Sequence, residues 1–335
     1  MDFYLPSQLE GVRSKHPLVH HITNYVTVND CANICICAGG SPVMTDALED
    51  VEDMVGIADA IVINMGTLNP RTVESMLLAG TVAKKKGIPV VFDPVGAGAT
   101  KYRNCVAERI IKLVKPDIVK GNDGEIAYLS GVEGGVRGVD STGPSGDSAA
   151  HVKSLAGKLG CIVASTGKVD HVSDGKDVYE LSNGCDMLGN VSGTGCMVSS
   201  VVGCYAGANG ANMGSVIAAI TSFNIAAESA GKMSRGPGTF KASLMDCMFG
   251  LNASDLDCAK IRRLRSEHLQ FAGDAVQFAC GCGSEAHARY RAGVHLRSPG
   301  IGDDRYVYLV AAGHHPVLVQ LLQRIHFQDD LGLTA

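Results

Sequence analysis

Between residues 188 and 227 the chain carries no charged side chain, a run long enough to cross a bilayer and too apolar to lie in water. It must be buried, in lipid or inside protein. Asn190, Ser192, Asn209 and Asn212, with glycines at 203, 207, 210 and 214, favour protein. They break the run into two pieces of helical length, over 195–205 and 215–231, expected to lie between other layers.

The rest of the chain shows what those layers are. Short apolar, β-branched runs at 60–64, 88–93, 117–120 and 161–165 read as strands, and they alternate with longer amphipathic stretches at 47–58, 70–86, 106–114 and 148–159. Runs that are apolar on both faces, separated by helices, predict an α/β fold with a mostly parallel central sheet covered by helices on both sides. Asn69-Pro70 and Ser192-Gly193-Thr194 are sound helix starts. Residues 131–146, rich in Gly, Ser, Pro and Asp, read as a long surface loop inside one domain, because the alternation resumes beyond them.

With 335 residues, 46% of them hydrophobic and 19% charged, the chain is long enough to bury a large core. A formal net charge of −5 provides no basic field for a polyanion, so nucleic acid is not expected as a partner. The first residues mix Asp2, Glu10, Arg13 and Lys15 with apolar side chains and do not read as a leader, so the expected location is cytoplasmic, with no membrane partner. The cysteines at 31, 35, 37, 161, 196 and 204 sit in apolar or Gly-rich surroundings and read as reduced thiols packed like small hydrophobes.

The texture changes near residue 261. Lysine disappears beyond Lys260, and arginine and histidine take over the basic positions. The boundary is drawn at 264, leaving 265–335 as a C-terminal extension of separate origin, unknown fold and loose packing. Cys280-Gly281-Cys282 within it lacks the spacing of a zinc half-site, and His314-His315 is equally unconvincing.

Three places can carry chemistry. Gly193-Thr194-Gly195-Cys196 opens the first uncharged helix, and the unpaired N–H groups of a helix start, approached closely past glycines, make an anion site; the plain alternative is a sharp bend. Cys196 stands just inside that helix, where the positive end lowers a thiol pKa and suits it as a base or as a partner for a substrate hydroxyl; it also reads as a packed core cysteine. Asp93, closing the strand over 88–93, and Glu125, just after Lys120-Gly121-Asn122, fall at the carboxyl edge of a parallel sheet, where they can converge with Lys120 on a Mg²⁺-nucleotide. Capping by Asn122 or Asp123 is the competing explanation there. A Walker A loop is missing, since Gly167-Lys168 and Gly231-Lys232 are followed by Val169 and Met233, and so is a Rossmann fingerprint.

Several stretches together resemble the hydroxyethylthiazole kinases of the ribokinase-like superfamily. They are residues 21–33 (HITNYVTVNDCAN), Ser41-Pro42-Val43-Met44, Asn64-Met65-Gly66-Thr67-Leu68, Asp93-Pro94-Val95-Gly96-Ala97-Gly98, Lys120-Gly121-Asn122, Ser192-Gly193-Thr194-Gly195-Cys196 and Gly236-Pro237-Gly238-Thr239-Phe240, spanning roughly 5–262. The resemblance implies a three-layer αβα ribokinase-like fold and transfer of the ATP γ-phosphate, with Mg²⁺, to the primary alcohol of 4-methyl-5-(2-hydroxyethyl)thiazole in thiamine salvage. It implies that Met44, Gly193, Asn24, Val26 and Gly66 meet the substrate, that Lys120, Thr166 and Asn122 meet ATP, and that Gly193, Thr194 and Gly195 form the anion hole. Asp93 and Glu125 match the metal-associated acids. Cys196 stands where many relatives of the superfamily carry an aspartate base. The resemblance also implies a homotrimer with active sites between subunits. A hydroxymethylpyrimidine-type kinase and a non-catalytic thiazole- or nucleotide-binding protein are the competing readings.

Overall fold

The computed structural model describes residues 4–131 and 148–264, together with the backbone of four strands at 136–137, 140–141, 289–296 and 305–312. Packing divides the chain into two units, Met1–Asp274 and Ala275–Ala335. In chain order the strands of the first are β1 (Leu18–Ile22), β2 (Ser41–Met44), β3 (Ala60–Asn64), β4 (Val90–Asp93), β5 (Ile118–Asn122), the two-residue pair β6 (Val136–Arg137) and β7 (Asp140–Ser141), then β8 (Ile162–Thr166), β9 (Asp170–Ser173), β10 (Val178–Leu181) and β11 (Ile261–Leu264).

Nine of these strands form one sheet in the order β11-β10-β9-β8-β5-β4-β3-β1-β2. From β8 to β2 every pairing is parallel, while β9, β10 and β11 add antiparallel strands at the other edge. The mostly parallel sheet expected from the apolar runs is therefore present. In the second unit, β12 (Arg289–Leu296) pairs antiparallel with β13 (Arg305–Ala312).

Alternate residues of the same strand enter opposite cores. Val62 and Val91 pack with α1 (Leu5–Lys15), α2 (Val28–Ala38), α8 (Thr194–Asn209), α9 (Met213–Met233) and α10 (Pro237–Gly250) on one face. Ile61, Ile63, Val90 and Phe92 pack with α3 (Leu48–Ile57), α4 (Pro70–Lys86), α5 (Lys101–Val114), α6 (Asp123–Ser130) and α7 (Ser148–Leu159) on the other. The result is three layers, helix over sheet over helix. Both faces of the sheet are dry, which is why its strands read as continuous apolar runs.

The uncharged run resolves into α8 and α9, with Met197–Gly207 buried on every side of α8. Among the described residues no helix is long and apolar enough to cross a membrane. Three of the glycines expected to interrupt the run do not, Gly214 falling in the first turn of α9. Gly203 and Gly207 lie inside α8, and a Cβ on Gly203 would come within 2.7 Å of Val62 Cγ2, so its bare backbone lets the helix rest directly on β3 and β1. The chain breaks instead at Gly210, with α9 restarted by the Asn212 cap, whose side chain accepts from Ser215 N–H.

α4 and α7 have the bounds expected from the sequence, and Asn69 caps α4 by accepting from Thr72 N–H. α5 begins at Lys101, a turn before the expected 106, because the Thr100 hydroxyl caps it by accepting from Arg103 N–H. All ten described cysteines are free thiols. Apart from β6 and β7, the loop expected over 131–146 lies largely outside the described residues, as do the Cys280–Cys282 and His314-His315 pairs and most of 265–335, the segment expected to pack loosely.

Candidate active site

Five parallel strands end side by side, and each brings a polar group to the same edge: Thr23-Asn24 after β1, Asn64 on β3, Asp93 on β4, Lys120 and Asn122 on β5, and Thr166 on β8. The carboxyl ends of parallel strands are where open α/β sheets bind ligands, since the following loops and helix starts converge there. α8 points its N-terminus into this group.

Asp93 is the hub. It is buried, and its Oδ2 accepts from Asn64 Nδ2 at 2.9 Å and from Ser199 Oγ at 2.6 Å, with Lys120 Nζ 3.8 Å away. Lys120, also buried, donates to the Gly195 carbonyl at 3.0 Å and so ties β5 to the first turn of α8. Burial pushes the Asp93 carboxyl above its usual range, against the pull of Lys120 and the two donors.

Gly193, at φ 88°, is the left-handed residue before α8. The first intrahelical bond runs from Met197 N–H to the Gly193 carbonyl, so the N–H groups of Thr194, Gly195 and Cys196 precede the helical ladder. Thr194 Oγ1 donates to the Leu188 carbonyl and pins the turn from behind. A Cβ at Gly193 would meet Thr27 Cγ2 at 2.3 Å, so the loop after β1 closes directly over this turn.

Cys196 projects into the cluster, where Asn64 Nδ2 and Asn24 Nδ2 donate to its sulfur at 3.3 and 3.4 Å. Its thiol is pushed up from the usual value, by burial first and then by the neighbouring Asp93 charge. This corrects the expectation of a thiol acidified by the helix start: desolvation and a buried carboxylate outweigh the helix end and Lys120. Asn24 is held in turn, donating to Asn64 Oδ1 at 2.9 Å and accepting from Thr27 N–H and Oγ1 at 3.1 Å. Gly66 packs against Asn24 and donates its N–H to Asn64 Oδ1 at 2.9 Å.

On the β5–β8 side, Asn122 caps α6 by accepting from Glu125 N–H, while Glu125 accepts from Asn122 N–H at 2.8 Å and Gly96 N–H at 2.7 Å. The capping reading of Asn122 is therefore present, and Glu125 is spent partly on that cap. Burial, and then the Asp93 charge, push the Glu125 carboxyl up to about 7. Thr166 stands beside Asn122 in register and donates to the Gly121 carbonyl at 3.3 Å. The turn after it is fixed by buried Asp170, which accepts from Gly167 N–H and Asn224 Nδ2.

Beside Asn24 opens a cleft of about 310 Å³ lined by His21, Thr23, Tyr25, Val28, Met44 and Thr67, with Asp46, paired to Arg71 at 2.8 Å, among its further lining residues. Met44 therefore belongs to the cleft, one loop away from the Cys196 cluster. Val26 is solvent-exposed, and no contact draws it into either.

Asn64, Ser199 and Thr27 are the members that reading the chain did not assign. Ser199 was the most findable: it lies three residues after Cys196, on the same face of an otherwise apolar helix. Asn64 ends a strand as Asp93 does, while nothing local marks Thr27.

Residues 9–254 match the model of the Hydroxyethylthiazole kinase family. A hydroxyethylthiazole kinase from Methanocella arvoryzae is 50% identical over 248 residues, covering 74% of this chain and 93% of the relative. One from Ruminiclostridium cellulolyticum is 47% identical over 247 residues, covering 72% and 90%. The solved hydroxyethylthiazole kinase protein of Pyrococcus horikoshii OT3 superposes with a TM-score of 0.73 at 38% identity, covering 78% of this chain and 99% of that one. A ribokinase-like superfamily protein from Enterococcus faecalis V583, at TM-score 0.54 and 12% identity over 72% of this chain and 89% of that one, shares the fold.

Proposed function

The chain belongs to the hydroxyethylthiazole kinase family, and from that premise we propose that it transfers the γ-phosphoryl group of ATP to the primary alcohol of 4-methyl-5-(2-hydroxyethyl)thiazole, in thiamine biosynthesis or salvage. The observation that carries this reading is the meeting of Cys196, Asn24, Asn64, Asp93 and Lys120 at the N-terminus of α8, beside a cleft that holds Met44.

The alcohol oxygen forms a bond to Pγ, the bond from Pγ to the β–γ bridging oxygen breaks, and ADP leaves. Charge spread over the transferring group faces the N–H groups of Thr194, Gly195 and Cys196, with buried Lys120 at their side. With its pKa raised, the Cys196 thiol stays protonated near neutral pH and orients the hydroxyl. The hydroxyl proton leaves toward the Asp93–Glu125 side, where carboxyls with raised pKa accept it. ATP lies along Lys120, Asn122 and Thr166, while Met44, Gly66, Asn24 and Gly193 surround the thiazole and exposed Val26 is left to complete a neighbouring protomer's pocket.

A kinase of this kind works with a divalent cation, here assigned as Mg²⁺. Among the described residues no group of three or more His, Cys, Asp or Glu could enclose a metal. Asp93 and Glu125 nonetheless fit Mg²⁺, which keeps most of its waters and needs only one or two carboxylates beside substrate phosphates. When bound, the ion neutralises phosphate charge.

We further assign the reaction to residues 1–264 and leave 265–335 outside it, since every site residue precedes β11. Homotrimer assembly is proposed because Tyr25 and Val26, 80% and 61% exposed, directly follow buried Asn24, with Tyr25 lining the cleft. Consumption of ATP assigns the work to the cytoplasm.

ADP release is measured with the thiazole alcohol and then with the hydroxymethylpyrimidine alcohol. Turnover on the thiazole, with Met44→Ala raising KM for the alcohol and not for ATP, is expected. Preference for the pyrimidine would transfer the reading to that kinase type, and no turnover on either would leave a binding protein. A chain ending at residue 265 keeps the wild-type kcat/KM.

A further inference from the structure

Arg103, in the first turn of α5, spends its guanidinium on backbone carbonyls. Nη1 donates to Met65 O and Val95 O and Nη2 to Gly66 O, each at 2.7 Å. The first and third acceptors lie in the loop after β3, the second in the loop after β4. No carboxylate pairs with Arg103 among the described salt bridges.

Two of the peptide units it holds are pinned at both ends. In the unit joining Met65 to Gly66, Arg103 takes the carbonyl, while the N–H donates to Asn64 Oδ1. In the unit joining Val95 to Gly96, Arg103 takes the carbonyl, while the N–H donates to Glu125 Oε1 at 2.7 Å. Asn64 is the residue that donates to both Asp93 and Cys196, and Glu125 is the second acid of the sheet edge.

We propose that Arg103 is a positioning residue that clamps the loops after β3 and β4 together and thereby sets Asn64 and Glu125 for phosphoryl transfer. The planar fork suits this task, since Nη1 and Nη2 can address carbonyls on two chain segments at once. Lysine, a point donor on a flexible stem, cannot reach all three. A charged donor to a carbonyl also makes a stronger bond than a neutral one, so the clamp holds in a site that must admit water and substrate. The loop lies directly on the arginine stem: a Cβ at Gly96 would come within 3.0 Å of Arg103 Cδ. The catalytic half of this inference rests on the phosphoryl-transfer reading of the same edge, whereas the clamp itself does not.

The test uses the full chain with Arg103→Met, which keeps an apolar stem and removes the fork. Amide hydrogen exchange of the segments 64–68 and 94–99 should accelerate at least ~10-fold while β5 and β8 exchange as in the wild type. In steady state kcat should fall ~10- to 100-fold with KM for ATP within about twofold, the mark of lost positioning and not of lost nucleotide binding. Millimolar guanidinium should restore part of the turnover of Arg103→Ala, and methylammonium should not. If Arg103→Met fails to fold, Arg103→Lys is read in its place and should loosen at least one of the two loops. Unchanged exchange in both loops overturns the clamp, and a kcat within about twofold of wild type overturns its catalytic role. Should the wild-type chain phosphorylate no thiazole alcohol, the reaction reading fails and the exchange measurement still decides the clamp.

Discussion

Ser199 Oγ donates to Asp93 Oδ2 at 2.6 Å, joining the buried face of α8 to the end of β4 at the centre of the sheet edge. Removing the hydroxyl leaves Asp93 with Asn64 and Lys120 alone on that oxygen. Ser199→Ala should cost about 1–3 kcal/mol of stability, because the acceptor stays buried, and should lower kcat more than it raises KM for the alcohol. Denaturant titration and steady-state kinetics check both halves.

Cys196 meets Asn24 and Asn64 and has a raised pKa, so its contribution is orientation of the hydroxyl. Cys196→Ala should lower kcat by about tenfold, less than the hundredfold or more expected for loss of a general base, with KM for the thiazole little changed. The pH–rate profile between about 6 and 8 should keep its shape in the variant. A limb of the profile that vanishes with the thiol would make Cys196 the base.

Gly193 combines a left-handed φ of 88° with a Cβ position 2.3 Å from Thr27 Cγ2. Gly193→Ala should destabilise the chain by about 1–3 kcal/mol and abolish most activity, because both the backbone angle and the methyl contact are violated. Adding Thr27→Ser removes Cγ2 and should recover part of the stability, read from urea midpoints, leaving the backbone strain in place.

His21 is wholly buried, with Nε2 hydrogen-bonded to Ser200 Oγ at 3.1 Å, and burial pushes its imidazole down to about 4. The unfolded chain therefore binds a proton that the folded chain refuses between about 6.5 and 4, and stability present above 6.5 is lost as pH falls through that window. Buried Asp170, pushed up to about 6, acts with the opposite sign and loses its contribution as pH rises from 3.8 to 6. Glu125, pushed up to about 7, acts in the same sense as Asp170, so the prediction is read as a difference: the melting temperature of His21→Gln should gain on that of the wild type as pH falls from 7 to 4.5. An unchanged slope would show that other groups govern it.

The layers were legible because their cause is local. Both faces of a parallel sheet are buried, so β3, β4, β5 and β8 begin on apolar, mostly β-branched residues and turn polar only toward their carboxyl ends, and α4 and α7 carry their own starts and amphipathic periods. The antiparallel strands β9, β10 and β11 were not legible. Their pairing joins residues 170–181 to 261–264 across the whole of α8, α9 and α10, and short mixed sequences such as Asp170-His171-Val172-Ser173 have no periodicity of their own.

At the site, residues that end strands or open a helix were visible one by one, since a Gly-rich turn or a carboxylate after an apolar run stands out in the chain. The sequence by itself determined the αβα layering, the glycine turn before α8 and the set of polar groups delivered to one sheet edge. Only the tertiary structure decided that Asp93, Asn64, Ser199 and Cys196 share one hydrogen-bonded cluster, that Arg103 grips the two loops beside it, and that the Cys196 thiol is raised and not lowered. The physical reason is that burial and the charge of a residue a hundred positions away set that pKa, and neither is written in the residues around Cys196.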